Sequence, residues 1–595
     1  MTVYAVIAAM WALGHAGLVV TGTTPVLDGR IPDSDGYMWL ARVEQLMRTG
    51  AWFDATMARA NAPYGDVLNW TRPLDAAIAL LAAPLTLVVE RRAAIFVAGA
   101  AVSPLFQLAT VLTLAWAARP LIAAPTRPLV ALVSLANIGL FGYSLAGRPD
   151  HHALVALAIV VLLGGALRLA CAPDRQAGAI AFGLGVAFGL WLTPEFLMPL
   201  AIVSAACLGL WWHDPKLGRA DAARRAWLIA LGATALALVI ERGPAALVRE
   251  PDRLSLDQLA IVAALAALWS ILALGSPATR ARRAAVLAAT SLVLGLFLAW
   301  LMPGLWGGPM AGIDPTVLRI FLADTTEMRS LLTPDIDSLV DQLRLNALGL
   351  VAAITASYWA WRQRTTPGGA AWAIVAALSA GYVLATSIHV RFAMFGGLAS
   401  SVAVAEVLRR LRARFTDGVG AIFLRVGAMA LVIIGPTALA VMVRQLGGGG
   451  AVDRAMAALD GACDLRAALP VLNDPAGLGA QPHIVIAHLN FGPELIWRTR
   501  HGVLGTPFHR NQAGILDGYA FFDATEEATA RAIAARRGAE LVLFCPLLVH
   551  ETRAGALARR LAAGTTHDWL VAIPLANTQL HLYKVRLDRA AEKQG

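Results

Sequence analysis

Long apolar runs recur along most of the chain, separated by short polar turns. Each approaches or exceeds the roughly 18 residues needed to cross a bilayer core of about 30 Å. They predict spans near 3–20, 93–117, 128–146, 152–171, 178–193, 195–212, 226–241, 258–275, 284–302, 346–361, 371–388, 392–408 and 420–443, about thirteen in all. The run Ala76–Val89 is too short to span and reads as a helix lying on the outer surface. With it excluded, the basic stretches Arg119–Arg127, Lys216–Arg225, Arg280–Arg283, Arg362–Arg364 and Arg409–Arg414 fall on one side, which is then the cytoplasm. Arg91 and Arg92 lie outside in this topology, a small violation of the rule.

The outer face then receives the loops 21–92, 147–152 and 303–346 and everything after about residue 445. After the glycine run Gly447–Gly450, which reads as a hinge, the pattern changes. Short strand-like runs, His483–Ala487, Glu540–Cys545 and His581–Val585, alternate with helical stretches at Glu526–Arg537 and Glu551–Ala563. The expectation is a polytopic α-helical membrane domain over 1–445 and a C-terminal soluble α/β domain over 446–595, outside the cytoplasm.

Composition agrees. Hydrophobic residues make up 58% of the chain and charged residues 15%, well below the quarter or so typical of soluble domains. The first apolar segment lacks a basic leader and a small-residue cleavage site, so it reads as a retained span. The net charge of +10 is no nucleic-acid signal, because most of the excess arginine sits in the inter-span loops. Of four cysteines, Cys171 and Cys207 lie in or beside spans, while Cys463 and Cys545 fall in the tail. With the tail outside the cytoplasm the last two could pair, and free buried thiols are an equal alternative. No spacing resembles a zinc site.

Four polar constellations converge on the outer side. They are Asp33-Ser-Asp35-Gly-Tyr37, Gly147-Arg-Pro-Asp150-His151-His152, Asp324-Thr-Thr-Glu327 and His389-Val-Arg391-Phe392. Carboxylates with an imidazole suit a divalent cation such as Mg²⁺ or Mn²⁺, and an arginine beside them suits a phosphate. Beside a bilayer, that pairing fits a lipid phosphate or diphosphate as leaving group. Each element also has a structural reading. Asp33, Asp35 and Asp150 stand where N-caps stand, Glu327 fits a solvated loop acid, and Arg391 fits an interfacial snorkel. Glu195, after Pro194 at an outer helix end, is a substrate contact or a cap. His501, His509, Arg510 and Asn511 in the tail face an acceptor or simply bond within loops. Asn69-Trp-Thr71 matches the glycosylation acceptor pattern.

On these residues the chain resembles GT-C glycosyltransferases, and most of all the catalytic subunit of archaeal and bacterial oligosaccharyltransferases. The matches are Asp35-Gly-Tyr37, Pro63-Tyr64-Gly65, Trp70-Thr-Arg-Pro73-Leu74-Asp75 and Gly147-Arg-Pro-Asp150-His151-His152, with Glu327 and Arg391-Phe392 matching more loosely. The resemblance implies a thirteen-span fold and a divalent cation held by Asp35, Asp150, His152 and Glu327. It places Arg391 on the phosphate of a polyprenyl-phosphate-linked sugar donor. Tyr37, Arg72, His151 and Glu195 are candidates for further substrate contacts. It covers the chain to about residue 445. The family's Trp-Trp-Asp-Tyr-Gly acceptor motif is absent from the tail, and Trp211-Trp212-His213-Asp214 lies in a cytoplasmic loop. The acceptor is therefore left open between a protein and a lipid or polysaccharide hydroxyl, with Asp35 or Asp33 as base. The expected function is glycosyl transfer on the outer face of the cytoplasmic membrane. The competing classes are a lipid-linked-sugar flippase and a non-catalytic membrane scaffold.

Overall fold

The computed structural model describes residues 2–587 except 216–219, 276, 305–311, 325, scattered positions between 415 and 434, 448–462 and 549–552. Among these residues ten helices are long and apolar enough to cross a membrane. They include α1 (Thr2–Val20), α4 (Arg91–Ala117), α7 (His152–Cys171) and α9, which starts at Leu197 and ends at His213. The expected run 128–146 is not one helix. It breaks into α5 (Arg127–Leu135) and α6 (Ile138–Tyr143), because Asn137 interrupts the apolar run and caps α6 by accepting from the Leu140 N–H at 3.2 Å. The run 178–193 forms α8 (Gln176–Leu192), only 17 residues long. The expected last span, 420–443, falls largely outside the described residues, although Gly435–Gly447 is helical. The helix expected to start near 346 runs from Ile336 to Arg362, because Asp335 caps it by accepting from Ser338 N–H.

α7 sits at the centre, buried along most of its length. Small residues let its neighbours close in, as helices in lipid require. A Cβ on Gly165 would lie 2.3 Å from the Phe182 backbone nitrogen, and one on Gly185 would lie 2.8 Å from that of Leu162. α7 and α8 therefore touch backbone to backbone. At the periphery, the helix Arg280–Leu301 exposes Leu292, Leu296, Phe297 and Trp300, apolar side chains that suit a lipid-facing helix.

The first loop folds as a unit over the helix ends. It contains α2 (Ser34–Thr49), a hairpin of β1 (Thr56–Met57) with β2 (Asp66–Val67), and α3 (Arg72–Leu85). The short surface helix thus begins four residues before the apolar run, at a Pro73-containing first turn. The Glu241 carboxylate accepts from its Arg72 N–H at 3.0 Å. Beneath it, Asp75 is fully buried and pairs with both Arg42 (2.7 Å) and Arg72 (2.8 Å).

The tail builds a five-stranded mixed sheet of order β4-β3-β5-β7-β6. Its strands are β3 (Ile484–Ile486), β4 (Gly502–Val503), β5 (Leu541–Phe544), β6 (Leu570–Ile573) and β7 (His581–Val585), and helices including Gln512–Phe522 and Glu527–Arg537 pack against it. Three of these strands match the expected runs; β4 and β6 do not stand out in the sequence. The glycine hinge and the start of the expected helix at Glu551 lie largely outside the described residues. Cys463 and Cys545 form a disulfide. The tail also docks on the first loop: Ala62 N–H donates to Val503 O and Val503 N–H donates to Arg59 O.

Arg92, one of the two arginines on the unexpected side, pairs with Glu44 at 2.9 Å and stacks 4.7 Å over the Trp497 ring of the tail. Its position is set by that contact.

Candidate active site

Five distant segments meet at the ends of α2, α7 and α9 and of the helix Pro367–Ile388. The loop before α2 is pressed against the turn before α7. A Cβ on Gly36 would meet Ile31 Cγ2 at 2.5 Å and Pro149 Cδ at 3.1 Å, so glycine alone permits the approach. Gly147 opens the turn with φ +85°, a conformation glycine adopts without strain.

Asp33 caps α2, its Oδ1 accepting from Gly36 N–H at 2.9 Å, while its Oδ2 pairs with Arg148 Nε at 2.8 Å. Both carboxylate oxygens are engaged, which fits the capping reading of this residue. Asp35, in the first turn of α2, has no hydrogen-bond or ion-pair partner among the described residues and is open to solvent. Its surroundings are nonetheless dense. Although part of the residue is exposed, the surrounding protein keeps water from its carboxyl, and this, together with the charges of Asp33, Asp150 and Glu327, raises its pKa well above the usual carboxylate range, with Arg148 opposing.

Asp150 uses its backbone and its side chain at once. Its N–H donates to Ser103 Oγ at 3.1 Å, and its Oδ1 accepts from the His152 N–H at 3.0 Å and lies 2.7 Å from His152 Nδ1. The same oxygen lies 3.3 Å from His151 Nδ1. Burial opposes ionisation here, yet the bonds and charges of His152 and His151 hold this carboxyl well below its ordinary range. Asp150, His151 and His152 offer ligand atoms all within 4.8 Å of one another. His151 therefore stands as close to this centre as His152, whereas Asp35 and Glu327 are not part of that tight group.

On the far side of His152, Glu195 and Arg391 form an ion pair at 2.7 Å. Arg391 Nη2 lies 3.2 Å from His152 Nε2, although the two residues are 239 apart in sequence. Glu327 reaches the site through a strap: His389 Nδ1 lies 2.8 Å from Met328 O, and Val390 N–H donates to Arg329 O at 3.1 Å. The Glu327 carboxylate pairs with Arg148 Nη2 at 2.8 Å. The side chain of Asp324 lies outside the described residues.

Arg148 is the central residue that motif reading passed over. It pairs with Asp33 and Glu327, lies 3.8 Å from Asp150, and stacks 4.3 Å over Tyr143. The available signal was an arginine on the face where the positive-inside rule disfavours it.

Two expected substrate contacts sit elsewhere. Arg72 is buried and bonds Asp75, Trp52 O and Asp54 O, so it holds the first loop together. Tyr37 is buried; its hydroxyl accepts from Ile31 N–H and Arg498 Nη2, both at 3.1 Å. It ties the loop to the tail. In the tail, His509 and Arg510 pair with Asp252 at 2.9 and 2.5 Å, and Asn511 caps the helix Gln512–Phe522.

No protein-family model matches the chain, and comparison with curated proteins finds no match. Solved structures do match. The apo oligosaccharyltransferase of Archaeoglobus fulgidus superposes with TM-score 0.67 at 14% identity, covering 97% of this chain and 74% of that one. The same organism's oligosaccharyltransferase AglB, in complex with an inhibitory peptide and a dolichol-phosphate, gives 0.62 at 15%, covering 92% and 71%. A complex with Zn and sulfate gives 0.61 at 14%, covering 92% and 70%. The chain shares its fold with these structures; among the described residues ten helices, against the thirteen expected, are long and apolar enough to cross a membrane.

Proposed function

We propose that the protein is a membrane glycosyltransferase. It moves a sugar or oligosaccharide from a polyprenyl (di)phosphate to an acceptor on the outer face of the cytoplasmic membrane. The observation that carries this reading is the meeting of Asp35, Asp150, His152, Glu327 and Arg391 at one end of the helix bundle. The Cys463–Cys545 disulfide supports a tail in an oxidising compartment, and the basic loops lie at the opposite helix ends. Structures of this fold hold a dolichol-phosphate in one case and Zn in another, in keeping with a lipid-phosphate donor and a divalent cation.

The donor set suits such a cation: two imidazoles and a carboxylate offer ligand atoms within 4.8 Å of one another, and the unpartnered Asp35 carboxylate stands nearby. Asp35, Asp150, His152 and Glu327, with His151 beside them, would hold Mg²⁺ or Mn²⁺. The ion would supply positive charge that favours departure of the phosphate. The chain's own groups do the rest. Asp150, held ionised, orients both imidazoles. Arg391 binds the donor's phosphate and opposes the charge that grows on it. Asp35 takes the acceptor's proton, because Asp33 is engaged on both oxygens.

The test is transfer from a labelled lipid-linked donor in membranes, with and without chelator, for wild type, Asp35→Ala and Asp150→Ala. Losses of at least about 100-fold are expected in both variants. Unchanged transfer in both removes this site as the active site. Movement of donor across the membrane without transfer identifies a flippase instead.

A further inference from the structure

Arg391 is not free to meet a ligand. Its Nη2 is held 2.7 Å from Glu195 Oε1, and its Nε is buried without a hydrogen-bond partner among the described residues. Glu195 is itself half satisfied: its Oε2 is buried, has no hydrogen-bond partner there, and lies 3.7 Å from His152 Nε2. Its backbone is pinned, because Glu195 N–H donates to Thr193 Oγ1 at 3.3 Å in the turn between α8 and α9.

We infer that Glu195 is a positioning residue that stands in for the donor's phosphate on Arg391 and hands the guanidinium over when the donor arrives. This rests on the reading of Arg391 as the phosphate-binding residue. A guanidinium only 20% exposed, set in a turn at the ends of the helices, is favoured by an anion beside it in each state. Before binding, Glu195 is that anion. When a phosphate takes Arg391, the released carboxylate keeps His152 Nε2 3.7 Å from its Oε2. Binding is then an exchange of partners, and apparent affinity falls with the fraction of molecules in which Arg391 is free. A small anion gains too little to displace Glu195. A phosphate carrying a polyprenyl chain gains the burial of that chain as well.

The experiment measures binding of radiolabelled polyprenyl phosphate to the detergent-solubilised full-length protein, with inorganic phosphate as competitor. Glu195→Gln keeps the shape and removes the charge. It is expected to tighten binding about three- to tenfold and to let millimolar inorganic phosphate compete where wild type resists it. Thermal melting of each variant confirms folding, and Glu195→Ala must share the tightening. Unchanged or weaker binding in Glu195→Gln overturns the stand-in. The underlying assignment fails separately: it is refuted if Arg391→Ala binds polyprenyl phosphate as wild type does.

Discussion

Arg148 and Glu327 form an ion pair at 2.8 Å although 179 residues separate them. The pair fastens the long outer loop to the turn before α7. Because Arg148 also holds Asp33 and lies 3.8 Å from Asp150, one guanidinium faces carboxylates from three segments of the chain.

That arrangement predicts the behaviour of Arg148→Ala. Without the guanidinium, Asp33, Asp150 and Glu327 repel one another, and the cation-free protein should lose about 1–3 kcal/mol, for a site part way between exposed and buried. Added Mn²⁺ should raise the melting temperature of the variant more than that of wild type. Equal metal-induced shifts would show that Arg148 does not balance this charge.

Arg72→Ala separates scaffold from substrate contact. Arg72 shares the buried Asp75 with Arg42, so its loss should cost about 3 kcal/mol of stability. The donor KM of the protein that remains folded should stay unchanged. A raised KM with normal melting would restore Arg72 to the substrate surface.

The disulfide closes a loop across a sequence separation of 82 residues, for which chain entropy predicts about 4 kcal/mol of stabilisation of the tail. Cys463→Ser should therefore expose the tail to limited proteolysis under conditions where wild type resists. In intact cells, wild type should show no alkylatable thiol at Cys463 or Cys545 without prior reduction.

Acid should undock the tail from the loop ahead of the helix Leu256–Leu274. Arg510 bonds Asp252 and Glu250, at 2.5 and 2.9 Å. Although burial opposes it, bonds from Arg253, Arg242 and Arg510 hold Glu250 down to about 2, and those from His509 and Arg510 hold Asp252 below its usual range. A depressed carboxylate contributes stability that is complete above its unfolded pKa near 4 and lost as pH falls through the folded value. Docking, followed by protease access, should persist at pH 5 and fail as pH approaches 2. In Arg510→Ala the loss should begin at higher pH, with about 1–2 kcal/mol already missing at neutrality.

Part of the site was legible because its residues are neighbours in sequence. Asp150, His151 and His152 form one turn, and a turn of three consecutive polar residues at the head of an apolar run is visible without coordinates. Asp33 was legible as a cap or an acid, and the structure shows the cap. Arg148 lay inside the same motif but was passed over, because its role depends on Asp33 and Glu327 arriving from elsewhere. For Arg72 and Tyr37 the residue type suggested chemistry, whereas burial and partners make them braces; burial is a property of packing that no local pattern encodes.

The sequence by itself determined the class of molecule. Length and apolarity of the runs force helices across a bilayer, since lipid leaves no other way to satisfy the backbone. It also determined that a different, strand-containing unit follows the last span. Tertiary structure alone decided that an apolar run breaks at Asn137, that Glu195 rather than solvent faces Arg391, and that the tail's Arg498 clasps Tyr37. Those outcomes depend on which side chains meet across hundreds of residues. Such meetings are fixed by the summed packing of the helices, and periodicity along a single segment carries no record of them.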